Sequence, residues 1–144
     1  LTLYVQQLAW LGTAPQPPAG SKRAEHAKAP NKITRLDRMK ADRIKPQMPP
    51  NPMPHLTAQL IEIGITQAGG MGPVPLSWQE IEAWRRCTGA RLSRWELRLI
   101  RSLSVAYIAE SRRAESDTCP PPWRGEVTER EREVEDARLR MVLG

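Results

Sequence analysis

The sequence predicts an all-α fold: a small helical bundle built on a capped helical hairpin, with a disordered or extended Pro-rich N-terminal arm. Three observations carry this. Residues 76–107 hold two helix starts of one construction, Ser77 with Glu80 and Ser93 with Glu96, and Thr88-Gly89 lies between them. The chain has 14 prolines, no phenylalanine and 5% aromatic residues, so a core can form only where Trp, Leu and Ile gather, in the second half. The last residues, 124–144, alternate Glu and Arg around a thin apolar stripe.

Taken in order, residues 1–11 form a short amphipathic helix with Tyr4, Leu8 and Leu11 on one face. That face docks on the hairpin or on an upstream partner, and the stretch is too short and too weakly basic for a secretory signal. The chain opens on Leu1 rather than Met, which fits a fragment, a non-AUG start read literally, an extension of another reading frame, or an artefact.

Residues 12–54 read as a basic Pro-rich linker. TAPQPPAGSKRAEHAKAPNK contains nothing that offsets the entropy of ordering its backbone. Thr34–Lys45 is basic with roughly helical spacing, and reads either as a partner-binding segment or as solvated linker. The prolines of PQMPPNPMP forbid a helix and leave it extended.

Residues 55–123 form the helical domain. From His55 to Ile65, Leu56, Leu60, Ile61 and Ile63 mark a helix of about three turns that ends in the Gly-rich loop QAGGMGPVP. At Ser77 and Ser93 the hydroxyl accepts from the third helical amide while Glu80 or Glu96 reaches back to the serine amide, a capping box. Leu76 with Ile81 and Leu92 with Leu97 staple each start, and Gly89 supplies a left-handed C-cap.

The second hairpin helix carries a wide apolar face that includes Trp95, Leu99, Leu103 and Ala106, and its polar side is basic through Arg94, Arg98, Arg101, Arg112 and Arg113. Trp84 and Trp95 read as core. Trp78 and Trp123 stay open between core and docking surface. DTCPPPW is an extended exit, and residues 124–144 a solvated charged helix with Val127, Val134 and Met141 at heptad spacing.

A net charge of +6 and a pI near 9.9 favour acidic partners or nucleic acid. Cys87 and Cys119 lie far apart with no CxxC or histidine companion, which reads as reduced thiols of an intracellular protein. No apolar run approaches the ~20 residues of a membrane span. No catalytic residue, no metal ligand set and no cofactor site is expected. His26 and His55 lack partners in a folded element, and GGMG lacks the Lys-Ser/Thr of a phosphate loop. Helix, Gly-containing turn, helix in a basic chain is also the outline of a helix-turn-helix nucleic-acid-binding protein. Against it, Trp95 and Leu97 are expected to be buried where base-reading side chains belong.

Leu60-Ile-Glu-Ile-Gly64, then Leu76-Ser-Trp-Gln-Glu-Ile-Glu-Ala-Trp84, Leu92-Ser-Arg-Trp-Glu96, Ile100-Arg-Ser-Leu103, Tyr107-Ile-Ala-Glu110 and Cys119-Pro-Pro-Pro-Trp123 together resemble the tail assembly chaperones of long-tailed bacteriophages, C-terminal type. The resemblance runs from His55 to Trp123. It implies a non-enzymatic protein that engages the tape measure protein, keeps it soluble and helps recruit tail tube protein. It implies action in the host cytoplasm during assembly, absence from the mature virion, and a possible upstream chaperone domain as partner; nucleic acid and membrane are not expected partners. From residue chemistry, the partner-binding residues are Trp78, Arg94, Arg98, Arg101 and Trp123, and the structural caps are Ser77, Glu80, Gly89, Ser93 and Glu96. The remaining alternative is a permanent structural component of the tail or head-tail joint.

Overall fold

The computed structural model describes residues 1–144. In chain order it contains α1 (Thr2–Gly12), α2 (Lys22–His26), α3 (Arg35–Ala41), α4 (Pro54–Ile63), β1 (Thr66–Gly69), β2 (Gly72–Pro75), α5 (Trp78–Thr88), α6 (Arg94–Ala114) and α7 (Glu129–Leu143). The chain is mostly helical, but the expectation of an all-α fold is corrected by a two-stranded antiparallel sheet. The stretch read as a Gly-rich loop pairs Thr66 with Pro75, Gln67 with Val74, Ala68 with Pro73 and Gly69 with Gly72. Pro73 and Pro75 share one parity on β2, so both missing amides fall on the edge facing away from β1, and the ladder tolerates them.

The 21-residue α6 is the axis of the molecule. Its closest backbone neighbour is α1, followed by β2; α5 approaches it chiefly through side chains. The expected tight hairpin of α5 on α6 is therefore a looser pairing around an axis that α1 completes. Helix α1 runs parallel to α6. Val5 joins the cluster around Ile100 and Leu103, Gly12 lies beside Tyr107, and Gln16 pairs with Ser116 in a parallel bridge. The buried residues of α1 are Val5, Gln7, Ala9 and Leu11, which corrects the Tyr4–Leu8–Leu11 face. With Ala9 fully buried, the α1 backbone can approach α6 closely, leaving Tyr4 and Leu8 at the margin.

The core is small: Val5, Leu56, Leu60, Leu76, Ile81, Ile100 and Leu103, with Tyr4, Ile65, Leu92 and Leu97 among the half-buried residues around it. Both staple pairs thus contribute to it. At its centre the fully buried Ser104 accepts from the Leu76 amide at 2.8 Å and donates to the Ile65 carbonyl, fastening the base of the sheet to α6.

The disordered or extended arm is the second correction. Residues 12–54 carry α2 and α3 and fold around the C-terminal end of α6. Gln16 accepts from the Asn31 amide at 2.9 Å and donates to the Asn31 carbonyl at 2.7 Å, closing the loop between them. The Gln16 amide donates to the Glu115 carbonyl at 2.7 Å, and the Asp117 amide donates to the Gln16 carbonyl at 3.1 Å.

Arg35, 8% exposed, finishes the stitch. Its guanidinium donates to the carbonyls of Trp10, Thr13 and Ser116 and lies 4.6 Å from the centroid of the Trp10 ring. Burial pulls its pKa below the usual arginine value, and the guanidinium still stays charged. It meets the carbonyls at the C-terminus of α1, where the helix dipole favours a cation. Polar groups thus order much of this segment, with Pro49 buried and Leu36, Met39 and Met53 half-buried beside them.

Candidate functional site

The first turns of α5 and α6 set the site. Ser93 and Glu96 make both bonds of a capping box: the Glu96 amide donates to Ser93 Oγ at 3.2 Å, and the Ser93 amide donates to Glu96 Oε2 at 2.7 Å. These bonds, the backbone one foremost, hold the Glu96 carboxyl below the usual range. At Ser77 only half of the box forms. Ser77 Oγ accepts from the Glu80 amide at 3.2 Å, while the Ser77 amide donates to Gln67 Oε1 at 2.7 Å. Gln67 of β1 has taken the place read for Glu80, whose side chain is exposed. Gly89 ends α5 at φ 68°, a left-handed conformation that disfavours a Cβ.

Position N1 of α5 leaves Trp78 half-exposed, and Arg101 of α6 lies over it, its guanidinium carbon 5.5 Å from the ring centroid. Arg94 and Arg98 sit one turn apart on the outer face of α6, exposed, with no ion-pair partner. Trp95 lies between them and is 60% exposed, which overturns its reading as core. The buried side of α6 runs through Ile100, Leu103, Ser104, Ile108 and Ala114, because α1 and β2 cover that side; Trp95 falls outside it. Its exposure removes the Trp95 half of the objection to a helix-turn-helix, while Leu97 is half-buried against the core. Trp84 is half-buried with its N–H lacking a partner.

The charge of this surface belongs to α6 rather than α5. Glu82 accepts from Arg85 at 2.9 and 3.1 Å and from Arg86 at 3.2 Å, so one carboxylate serves both arginines of α5. The Arg85 bonds, then those of Arg86, hold Glu82 below its usual pKa. Arg94 and Arg98 have no such companion. An exposed Trp–Arg surface with unpaired guanidinium groups suits an apolar helix that carries carboxylates.

Four of the five expected partner-binding residues, Trp78, Arg94, Arg98 and Arg101, therefore lie on α5 and α6, and Arg101 is engaged with Trp78. Trp123 sits apart, against α1: its amide donates to Gln7 Oε1 at 3.2 Å. It lines a groove of about 490 Å³ with Trp10, Met39 and Cys119. Arg35, Gln67 and Ser104 went unnoticed because a single polar residue in a loop or helix carries no periodic signal. Cys87 and Cys119 are free thiols, no three His, Cys, Asp or Glu side chains gather to hold a metal ion, and no helix is long and apolar enough to cross a membrane.

Residues 34–109, just over half of the chain, match the family model described as phage tail assembly chaperone. The match begins at Thr34, the N-cap of α3, and ends inside α6, so it takes in the basic segment ahead of His55 as well as Trp78, Arg94, Trp95, Arg98 and Arg101. Trp123 and α7 fall beyond it. No curated protein and no solved structure matches the sequence.

Proposed function

The chain belongs to the phage tail assembly chaperone family, and on that footing we propose that it binds the tape measure protein as a non-enzymatic holder and helps recruit tail tube subunits around it. The observation that carries this reading is the outer surface of α5 and α6, where Trp78 and Trp95 are about half exposed or more and Arg94 and Arg98 have no ion-pair partner. A long helical protein held before assembly presents apolar stripes to water, and a small holder needs exposed aromatic area to cover one. Trp and Arg are the residue types in which binding energy most often concentrates. On this reading Arg94 and Arg98 meet carboxylates of the tape measure helix while the indoles cover its apolar stripe. The protein then acts before the particle is complete and leaves it.

Co-expression with the tape measure protein tests this. The parent chain is expected to raise the soluble fraction of the tape measure protein and to co-purify with it. Arg94→Glu combined with Arg98→Glu is expected to lose both effects while keeping its helical circular dichroism. No gain in solubility and no co-purification by the parent would end the proposal. Mass spectrometry of purified particles separates it from a permanent virion component. The helix-turn-helix alternative draws on the same exposed Arg94, Trp95 and Arg98, and predicts salt-dependent binding of duplex DNA.

A further inference from the structure

Helix α7 is the one long helix that buries no residue of its own. Its apolar residues near the end, Leu139, Met141, Val142 and Leu143, are more than half exposed, and Val134 is its one half-buried apolar side chain, so packing contributes little to holding it. What holds it is polar and converges on one residue. Arg138 forms an ion pair with the Asp42 carboxylate, and Arg130 Nε donates to the Asp42 carbonyl at 3.0 Å. Just ahead of α7, Gln47 Nε2 donates to the Glu126 carbonyl at 2.7 Å, with Gly125 packed so closely under the Gln47 side chain that a Cβ there would collide with it. Beneath α7 runs the groove of about 490 Å³, lined by Trp10, Met39, Cys119 and Trp123 on one side and by Glu131 and Glu135 of α7 on the other.

We propose that α7 is a releasable strap over this groove, with Asp42 as its clasp. A partly exposed ion pair is screened by salt and is weak on its own, so the strap opens as ionic strength rises and uncovers the groove. Two arginines on the same Asp42, with no buried apolar anchor on α7, make the clasp the controlling contact. This inference concerns the side of the molecule away from Trp78 and Trp95 and does not rest on the proposed function.

Cys119 reports the opening, because it lines the groove. In the full chain carrying Cys87→Ser, the rate at which a thiol reagent labels Cys119 is expected to rise about fivefold between roughly 0.02 M and 0.5 M salt, the factor that corresponds to losing one modest ion pair. Asp42→Asn is expected to label fast at every salt concentration. The exchanged pair, Asp42→Arg with Arg138→Asp, is expected to restore slow, salt-dependent labelling. A parent rate that ignores salt overturns the strap. Asp42→Asn labelling as slowly as the parent, or the exchanged pair labelling as fast as Asp42→Asn, overturns the clasp.

Discussion

Arg101 of α6 lies over the indole of Trp78 of α5, its guanidinium carbon 5.5 Å from the ring centroid. The contact links two helices whose backbones make few close approaches. Arg101 Nε is buried without a hydrogen-bond partner, so the ring supplies part of what water would otherwise give. A double-mutant cycle of Trp78→Ala and Arg101→Ala is expected to return a coupling of about 0.5–1 kcal/mol in urea denaturation. Arg101→Lys keeps the charge but replaces the planar guanidinium with a compact ammonium, so it is expected to recover only part of the coupling. Zero coupling would mean the two side chains are neighbours and nothing more.

A second prediction concerns Ser104. Its hydroxyl serves the Leu76 amide and the Ile65 carbonyl at a position with no solvent exposure. Ser104→Ala leaves both backbone groups unpaired in the core, and is expected to cost about 1–3 kcal/mol. The same variant is expected to speed hydrogen exchange at the Leu76 amide, because that proton has lost its acceptor. A urea midpoint equal to that of the parent would contradict the assignment.

How far the fold was legible follows from the range of each signal. Caps and staples lie within five residues of one another, and the helix starts at Ser77 and Ser93 stand where those residues place them. The reciprocal half of the Ser77 box went to Gln67, ten residues upstream, because a hairpin not read from the sequence brought that side chain across. The face of α6 was misjudged at Trp95 for a similar reason. Periodicity shows that a stripe exists, and the neighbours α1 and β2 decide where its centre lies. The arm escaped because Gln16, Asn31 and Arg35 order it through hydrogen bonds to backbone groups, and no count of apolar residues registers those. Of the site, Arg94, Arg98 and Arg101 were readable as basic positions and Trp78 stood open between core and surface, whereas the separation of Trp123 depends on how the exit segment returns to α1.

Arg35 gives the third prediction. Its guanidinium holds carbonyls from α1, from the segment after α1 and from the end of α6, with a closest distance of 2.9 Å. Arg35→Ala removes charged hydrogen bonds from a site 8% exposed, and is expected to cost about 2–3 kcal/mol. The loss is expected to show locally as faster tryptic cleavage after Lys28 and Lys32, on the segment that Arg35 ties down. Arg35→Lys is expected to rescue little, since one ammonium nitrogen replaces the two guanidinium nitrogens that reach carbonyls on different segments. Unchanged cleavage in Arg35→Ala would show that the Gln16–Asn31 bonds suffice to hold the arm.

The last prediction is a pH dependence at the start of α6. Glu96 is held below its ordinary value of 4.5 by the Ser93 amide first, then by the Ser93 side chain, with a smaller contribution from His55, 4.0 Å away. A carboxylate whose pKa is lower folded than unfolded stabilises the folded state above the unfolded pKa, and the contribution disappears as pH falls through the folded value. Glu96→Gln keeps an acceptor for the Ser93 amide but cannot titrate. The stability difference between the parent and Glu96→Gln is therefore expected to shift against the parent as pH falls below about 5. Glu82, shifted in the same direction by Arg85 and Arg86, is present in both proteins and cancels from the difference. Denaturant titrations at steps of pH measure it directly, and a difference that stays flat through the acid range would show that the Glu96 carboxylate adds no charge-dependent stability to the cap.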